Sequence, residues 1–527
     1  MTQLYSLQFV SFLALALIAY FMVGKTRYRH FQWVVLLVGS LGFYLFSGWQ
    51  NLFFIGITAL SVWLVGLRFD KLDQLEKTLK KDAADRAAKK EIKRRIKQRK
   101  WLFLLAVMLL NFGILSYIKY WNVILGMFGA ADGFLASHLL LPLGISFYTF
   151  QSIGYIIDCY FGKYSPERNF ARFLLFVSYF PQLIQGPINR FDALAAQLYE
   201  PHHLDVHNVR RAALLIGYGV FKKYAIADVL VASVSSALDS IDASTPGSII
   251  VYGIFLYAIY QYADFSGGID MVRGVSQLFG IKMAENFRQP YFSISIADFW
   301  HRWHITLGAW MRDYVFYPMA LRPSMKALTA WATTHVSKHV GRTIAGCLAN
   351  IVVFFLVGLW HGAEMHYIFW GLYNGLLIAS ADLARPLFTW LIEKLKINVE
   401  SAPYHMFRII RTFILVCIGY YFDRLMNVGD LSIAFYNTFF NFQIVNFVPY
   451  LQLHPTANFT LCLMLAGISC IILFVISVLS ERGIDVKERI LGAPPIVRFV
   501  IYALFVLLIL FSFTLVQSSG GFMYANF

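Results

Sequence analysis

Thirteen apolar stretches of spanning length recur along this chain, and no other feature constrains its fold as strongly. They lie near 6–23, 31–47, 51–67, 101–118, 139–160, 170–185, 212–237, 248–263, 344–360, 366–382, 407–422, 459–479 and 497–516. A helix needs about 20 apolar residues to cross a hydrocarbon core. The expected fold class is therefore all-α: one polytopic transmembrane helical domain over 1–527, with eleven to thirteen membrane segments, some partial or re-entrant. Two further apolar segments, near 119–130 and 430–450, have no clear place in that count. Composition excludes the alternative of several soluble domains. Only 14% of the residues are charged and 58% are hydrophobic, against about 25% charged in a soluble domain. The net charge of +16 then belongs to loops that meet anionic headgroups, and no nucleic-acid partner is expected. The five cysteines, Cys159, Cys347, Cys417, Cys462 and Cys470, are odd in number and widely spaced. They form neither a disulfide framework nor a zinc pattern.

Charge sets the expected topology. The stretch Arg68–Lys100 holds 14 Lys/Arg against 6 Asp/Glu, a net +8. Its Ala, Lys, Arg and Glu content favours helix. The positive-inside rule puts it in the cytoplasm, either as a topology signal on anionic lipid or as a dock for an acidic carrier or cofactor. Three apolar stretches precede it, so the N-terminus is expected outside. No Lys or Arg lies between Lys223 and Arg273, nor between Arg424 and Arg482. Ser236–Ser248 and Gly429–Asn458 are therefore expected to face outward. Arg322–Arg342 carries four cations and no acid, so it is expected inside. The pair Lys222-Lys223 reads as an interface marker.

Ionisable residues inside membrane segments are costly and are functional candidates by default. Here they gather in the middle of the chain. Asp264 and Ser266 end a long apolar run, and Asn286 follows. Asp298, Trp300, His301, Arg302, Trp303 and His304 come next, then Trp360, His361 and Glu364 within the apolar stretch 344–382. Both flanks of that stretch look cytoplasmic, so it is expected to be a membrane hairpin with His361 near its turn. Residues 344–360 would make a helix about 26 Å long at ~1.5 Å per residue. The turn then sits within the membrane or barely reaches its far side, where a neutral imidazole is a useful base. Glu364, three residues on, either orients His361 or faces the aqueous mouth. The Asp298–Tyr314 run reads as a helix that places His301 and His304 on one face and pairs Arg302 with Asp298 or with an anionic ligand. Such a helix is tolerated if it is buried or lines a water-filled cavity. His-x-x-His has no third ligand at an obvious spacing, so no metal is expected.

These motifs resemble the membrane-bound O-acyltransferase family, in particular its bacterial branch that acetylates alginate or D-alanylates teichoic acid. The carrying residues are Leu143–Gln151, Phe180–Ile188 (with Gln182), Asp264-Phe265-Ser266-Gly267, Asp298–Tyr314 and Gly358-Leu359-Trp360-His361-Gly362. They define an expected catalytic core over 140–380. The resemblance implies a helical fold around a central tunnel. It also implies a cytoplasmic acyl-thioester donor, acetyl-CoA or an acyl carrier phosphopantetheine, and an acceptor hydroxyl on an extracytoplasmic polysaccharide. A further extracytoplasmic acyltransferase partner is compatible with this. The implied location is the bacterial inner membrane. His361 matches the signature histidine and His304 the second one. His301 and Glu364 depart from the branch pattern, which has Arg and Asn there. His361 is assigned as general base, and His304, Asn286 or the Trp indoles as donors to the oxyanion. D-alanyl transfer to teichoic acid is the alternative within the family. A non-enzymatic polysaccharide or lipid transporter is the alternative outside it, and it makes His361 dispensable.

Overall fold

The computed structural model describes residues 6–127, 142–444 and 459–516. Among them the regular structure is helical, and the one extended pairing is an isolated antiparallel bridge between Phe287 and Trp303. Among the described residues, eight helices are long and apolar enough to cross a membrane, or nine if the bent pair Met365–Leu383 and Arg385–Lys394 is one span. The other apolar stretches form shorter or broken pieces, which is why spans are fewer than apolar stretches. Gln32–Ser47 and Ile145–Tyr160 have 16 residues each and Phe170–Ser178 has nine. The run near 212–237 is divided by a wide π-helical turn, Lys223–Ala227. The tail of the 119–130 segment and residues 445–458 of the stretch expected to face outward lie outside the described residues.

The chain forms two compact units, one from residues 1–216 and 271–284, the other from 217–270 and 285–523. In the first, the basic stretch is a helical hairpin. Trp49–Lys81 runs on past its apolar part, and Arg86–Met127 returns beside it. Lys100 joins the two, with its ammonium 2.5 Å from Asp73 and over the Phe69 ring. Two of the family-like motifs meet here. Gly144 has φ +70°, and a Cβ on it would lie 2.8 Å from the Leu183 carbonyl oxygen, so only glycine fits that turn. Gln182 is fully buried. Its amide pairs with that of Gln151, and its Oε1 accepts from Asn189 at 3.0 Å.

In the second unit, the motif Asp264-Phe265-Ser266-Gly267 explains itself by what each residue touches. Lys223 reaches Asp264 at 2.5 Å and Asp228 at 2.8 Å, and Lys222 reaches Ser266 and Asp270 at 2.8 Å. A Cβ on Gly267 would meet the Gly219 carbonyl at 2.9 Å, so glycine lets the lysine-bearing helix approach. Lys222 and Lys223 are thus buried in ion pairs rather than placed at an interface. Apart from Asp228, five residues on, their partners lie more than forty residues away in sequence, beyond what local reading detects. Removing one partner of a buried pair strands the other charge. Lys223→Met is expected to destabilise the protein by about 3–5 kcal/mol, read as a lower unfolding temperature in detergent. Lys223→Met with Asp264→Asn is expected to recover part of that loss.

Candidate functional site

A helical hairpin with His361 at its turn is present in the second unit. Helix Lys338–His361 ends on His361, residues 362–364 turn, and helix Met365–Leu383 returns. Glycine makes the close approach possible. A Cβ on Gly358 would sit 2.4 Å from the Tyr367 carbonyl, and one on Gly371 would sit 2.4 Å from that of Phe354. Small residues at such crossings are how helices pack in lipid, where hydrophobic drive between them is absent.

His361 is buried among rings: Trp360 at 4.8 Å, Trp370 at 5.1 Å and Tyr367 stacked at 5.6 Å. It is the last residue of a 24-residue helix, where the carbonyl ends of the helix dipole accommodate positive charge. Gly362 follows because a Cβ there would strike the Glu364 carboxylate and the Tyr367 ring. Glu364 is itself exposed and folds back over Gly362.

His304 occupies a different kind of place. The sequence suggested one helix over Asp298–Tyr314. The structure instead has helices Ile296–Arg302 and Ile305–Met311, with Trp303 and His304 at the break. His301 and His304 therefore do not share a helical face. The cause is the segment 286–288, which pairs across the break. Arg288 N–H donates to Arg302 O and Ile305 N–H to Asn286 O, both at 3.0 Å. His304 takes φ +46°, ψ +51°, a left-handed conformation that costs a bulky residue about 1 kcal/mol or more. Asn286 holds it there. Its Oδ1 accepts from Thr306 N at 3.0 Å and Thr306 Oγ1 at 2.8 Å, and lies 3.3 Å from His304 Nδ1. His304 lies outside the spanning helices, and burial pushes its imidazole down to about 3, so it is neutral. Phe265 packs on it at 5.0 Å, and Trp360 bridges towards His361 at 6.2 Å.

A cavity of about 390 Å³ borders His304. Trp300, His301, Ile305, Leu307, Gly308, Val353, Phe354 and Val357 line it, and Arg312, Tyr317 and Asp382 border it as well. Val357 is four residues before His361, about 6 Å along the helix at ~1.5 Å per residue. The carbonyl of Asp382 bonds His339 at 2.9 Å, so this acid belongs to the opposite end of the hairpin.

The structure thus brings Asn286, Trp300, His301, Trp303, His304, Trp360 and His361 into one neighbourhood. Trp300 borders the cavity and donates to Asn374 Oδ1 at 3.2 Å. Trp303 packs on Phe287 at 5.0 Å. Asp264 and Ser266 serve the lysines. Gln182 belongs to the other unit. Arg302 does pair with Asp298, at 2.9 Å, and also grips both oxygens of Glu481 at 2.8 Å, so carboxylates match its charge. Thr306, Tyr367, Trp370 and Asn374 escaped the sequence reading. For Thr306 the signal was its place two residues after a buried histidine, where a hydroxyl can share that residue's anchor.

The sequence model of the membrane-bound O-acyltransferase family matches residues 166–422, which include both histidines and the hairpin. A probable alginate O-acetylase of Pseudomonas syringae pv. tomato is 33% identical over 444 residues, covering 82% of this chain and 73% of that protein. A peptidoglycan O-acetyltransferase of Helicobacter pylori is 31% identical, covering 53% of this chain and 55% of its own. A teichoic acid D-alanyltransferase of Bacillus subtilis is 29% identical, covering 54% and 69% respectively. With a relative this similar over most of both chains, a family match over residues 166–422 and a multi-pass helical fold, the chain belongs to the membrane-bound O-acyltransferase family and is an O-acyltransferase.

Proposed function

We propose that this protein moves an acetyl group from a cytoplasmic thioester, acetyl-CoA or an acyl carrier phosphopantetheine, to hydroxyls of an extracytoplasmic polysaccharide. It acts in the bacterial inner membrane, with the basic hairpin at 68–100 in the cytoplasm, where its charge attracts an anionic donor or carrier. The observation that carries the acetyl reading is the lining of the cavity. Trp300, Ile305, Leu307, Gly308, Val353, Phe354 and Val357 give it apolar walls, and Asp382 is the one carboxylate among the described residues that line it. A D-alanyl group brings an ammonium. Buried against those apolar walls, away from Asp382, it would cost several kcal/mol, whereas an acetyl methyl gains from the same walls. The alginate and peptidoglycan O-acetylating relatives agree with this reading.

The thioester is already activated, so a covalent enzyme intermediate is unnecessary. His361 takes the proton of the acceptor hydroxyl as its oxygen attacks the carbonyl carbon. The C–S bond breaks, and the proton ends on the sulfur. Apolar walls exclude the water that would otherwise hydrolyse the thioester. An extracytoplasmic acyltransferase that passes the group on to the polymer is compatible with this. The test is mild-base release of esters from the polysaccharide of cells with and without the chain, with the released acid identified by mass. Chain-dependent acetate is the expected result. Chain-dependent D-alanine would replace the acetyl reading with the teichoic-acid one, and no chain-dependent ester would favour a transporter.

A further inference from the structure

The hydrogen bonds around Asn286 fix more than a backbone shape. An amide side chain can be built either way round, but here its orientation is determined. The atom facing the Thr306 backbone N–H, at 3.0 Å, must be an acceptor, since that N–H can only donate. It is therefore Oδ1, and the same Oδ1 lies 3.3 Å from His304 Nδ1. An oxygen with no hydrogen of its own requires the facing ring nitrogen to carry one. In a neutral imidazole the other nitrogen, Nε2, then holds the lone pair.

We infer that Asn286 is a positioning residue that locks His304 in the Nδ1–H form, so that His304 serves the reaction as a hydrogen-bond acceptor at Nε2 and not as a donor to the oxyanion. This rests on the acyl-transfer reading and reverses the oxyanion role assigned to His304 from sequence. A donor at Nε2 would set two lone pairs, those of Nδ1 and Asn286 Oδ1, against each other. The two histidines then divide the work by their surroundings. His361, at a helix C-terminus, carries the transferred proton. His304, which opens the seven-residue helix Ile305–Met311, stays neutral and accepts a hydrogen bond in the cavity it borders. Pairs of titratable groups held in opposing environments are how enzymes separate such roles. Phe265 and Trp360 pack on His304, Asp264 behind Phe265 is engaged by Lys223, and His301 and Arg312 are the other basic groups bordering the cavity.

The test compares wild type, Asn286→Asp and Asn286→Leu, each purified and reconstituted in vesicles. Acetyl transfer from acetyl-CoA to a soluble polysaccharide is followed between pH 5 and pH 9, with unfolding temperatures recorded alongside. A carboxylate at 286 favours the His304 imidazolium, which has no lone pair at Nε2. Asn286→Asp is therefore expected to keep activity within about tenfold at pH 8 and to lose a further tenfold or more by pH 6, a typical reach for one proton-transfer group. Asn286→Leu, which releases the tautomer, is expected to lose about 10²-fold or more at every pH. A pH profile for Asn286→Asp that runs parallel to wild type overturns the inference, as does a folded Asn286→Leu with wild-type kcat. Absence of transfer by the wild type, with either donor class, overturns the acyl-transfer reading instead.

Discussion

Replacing His361 by alanine is expected to lower polymer acylation by about 10²–10⁴-fold, the usual worth of a general base, while leaving the protein in the membrane at wild-type amounts. The fold should tolerate the change. His361 ends its helix, and the hairpin is held by the Gly358–Tyr367 and Gly371–Phe354 contacts below it. Those contacts do not involve the imidazole. The measurement is ester content per unit of membrane-embedded chain, with turnover from a thioester donor as the direct counterpart. The loss should fall on kcat more than on KM, because the base acts in the transition state and His361 is not among the residues that line the cavity, Val357 being the one a turn before it. An alanine variant with wild-type ester would make His361 structural and would remove the base from the mechanism proposed above.

What the sequence revealed and what it hid divide along one physical line. The hairpin around His361 was legible because its flanking charges and its length are local facts. The Asp298–Arg302 pair was legible because the two residues stand one helical turn apart. The break before His304 was not, since the local propensity of 298–314 favours a continuous helix. What opens it is Asn286, eighteen residues upstream, through backbone pairing that propensity does not encode. The same holds for Arg302 with Glu481, 179 residues away, and for Lys223 with Asp264, 41 residues away. Buried charges announce that partners exist without naming them. So Asp264 and Ser266 stood out correctly as unusual, but their unusual feature is the lysine pair they bury and not the cavity.

Gly308 offers the sharpest test of the cavity itself. It lies within Ile305–Met311 and borders the cavity. A Cβ built on it meets the Trp300 carbonyl oxygen at 3.4 Å as its nearest contact, so this glycine, unlike Gly358 or Gly371, is not demanded by packing. Two substitutions should then part company. Gly308→Ala adds a methyl in near-ordinary contact and removes the entropy cost of glycine in a helix, so it is expected to raise stability by about 0.5–1 kcal/mol with activity close to wild type. Gly308→Phe sends a ring into the space beside His304. If that space holds the donor, the reacting carbonyl is displaced from its place by more than an ångström, and a misplacement of that size costs about 10²-fold. The expected signature is a folded protein with an unfolding temperature near that of Gly308→Ala and acetyl transfer reduced about 10²-fold or more. A Gly308→Phe variant that transfers acetyl normally would mean the donor reaches His361 by another route, and the apolar walls would lose their bearing on which acyl group is carried.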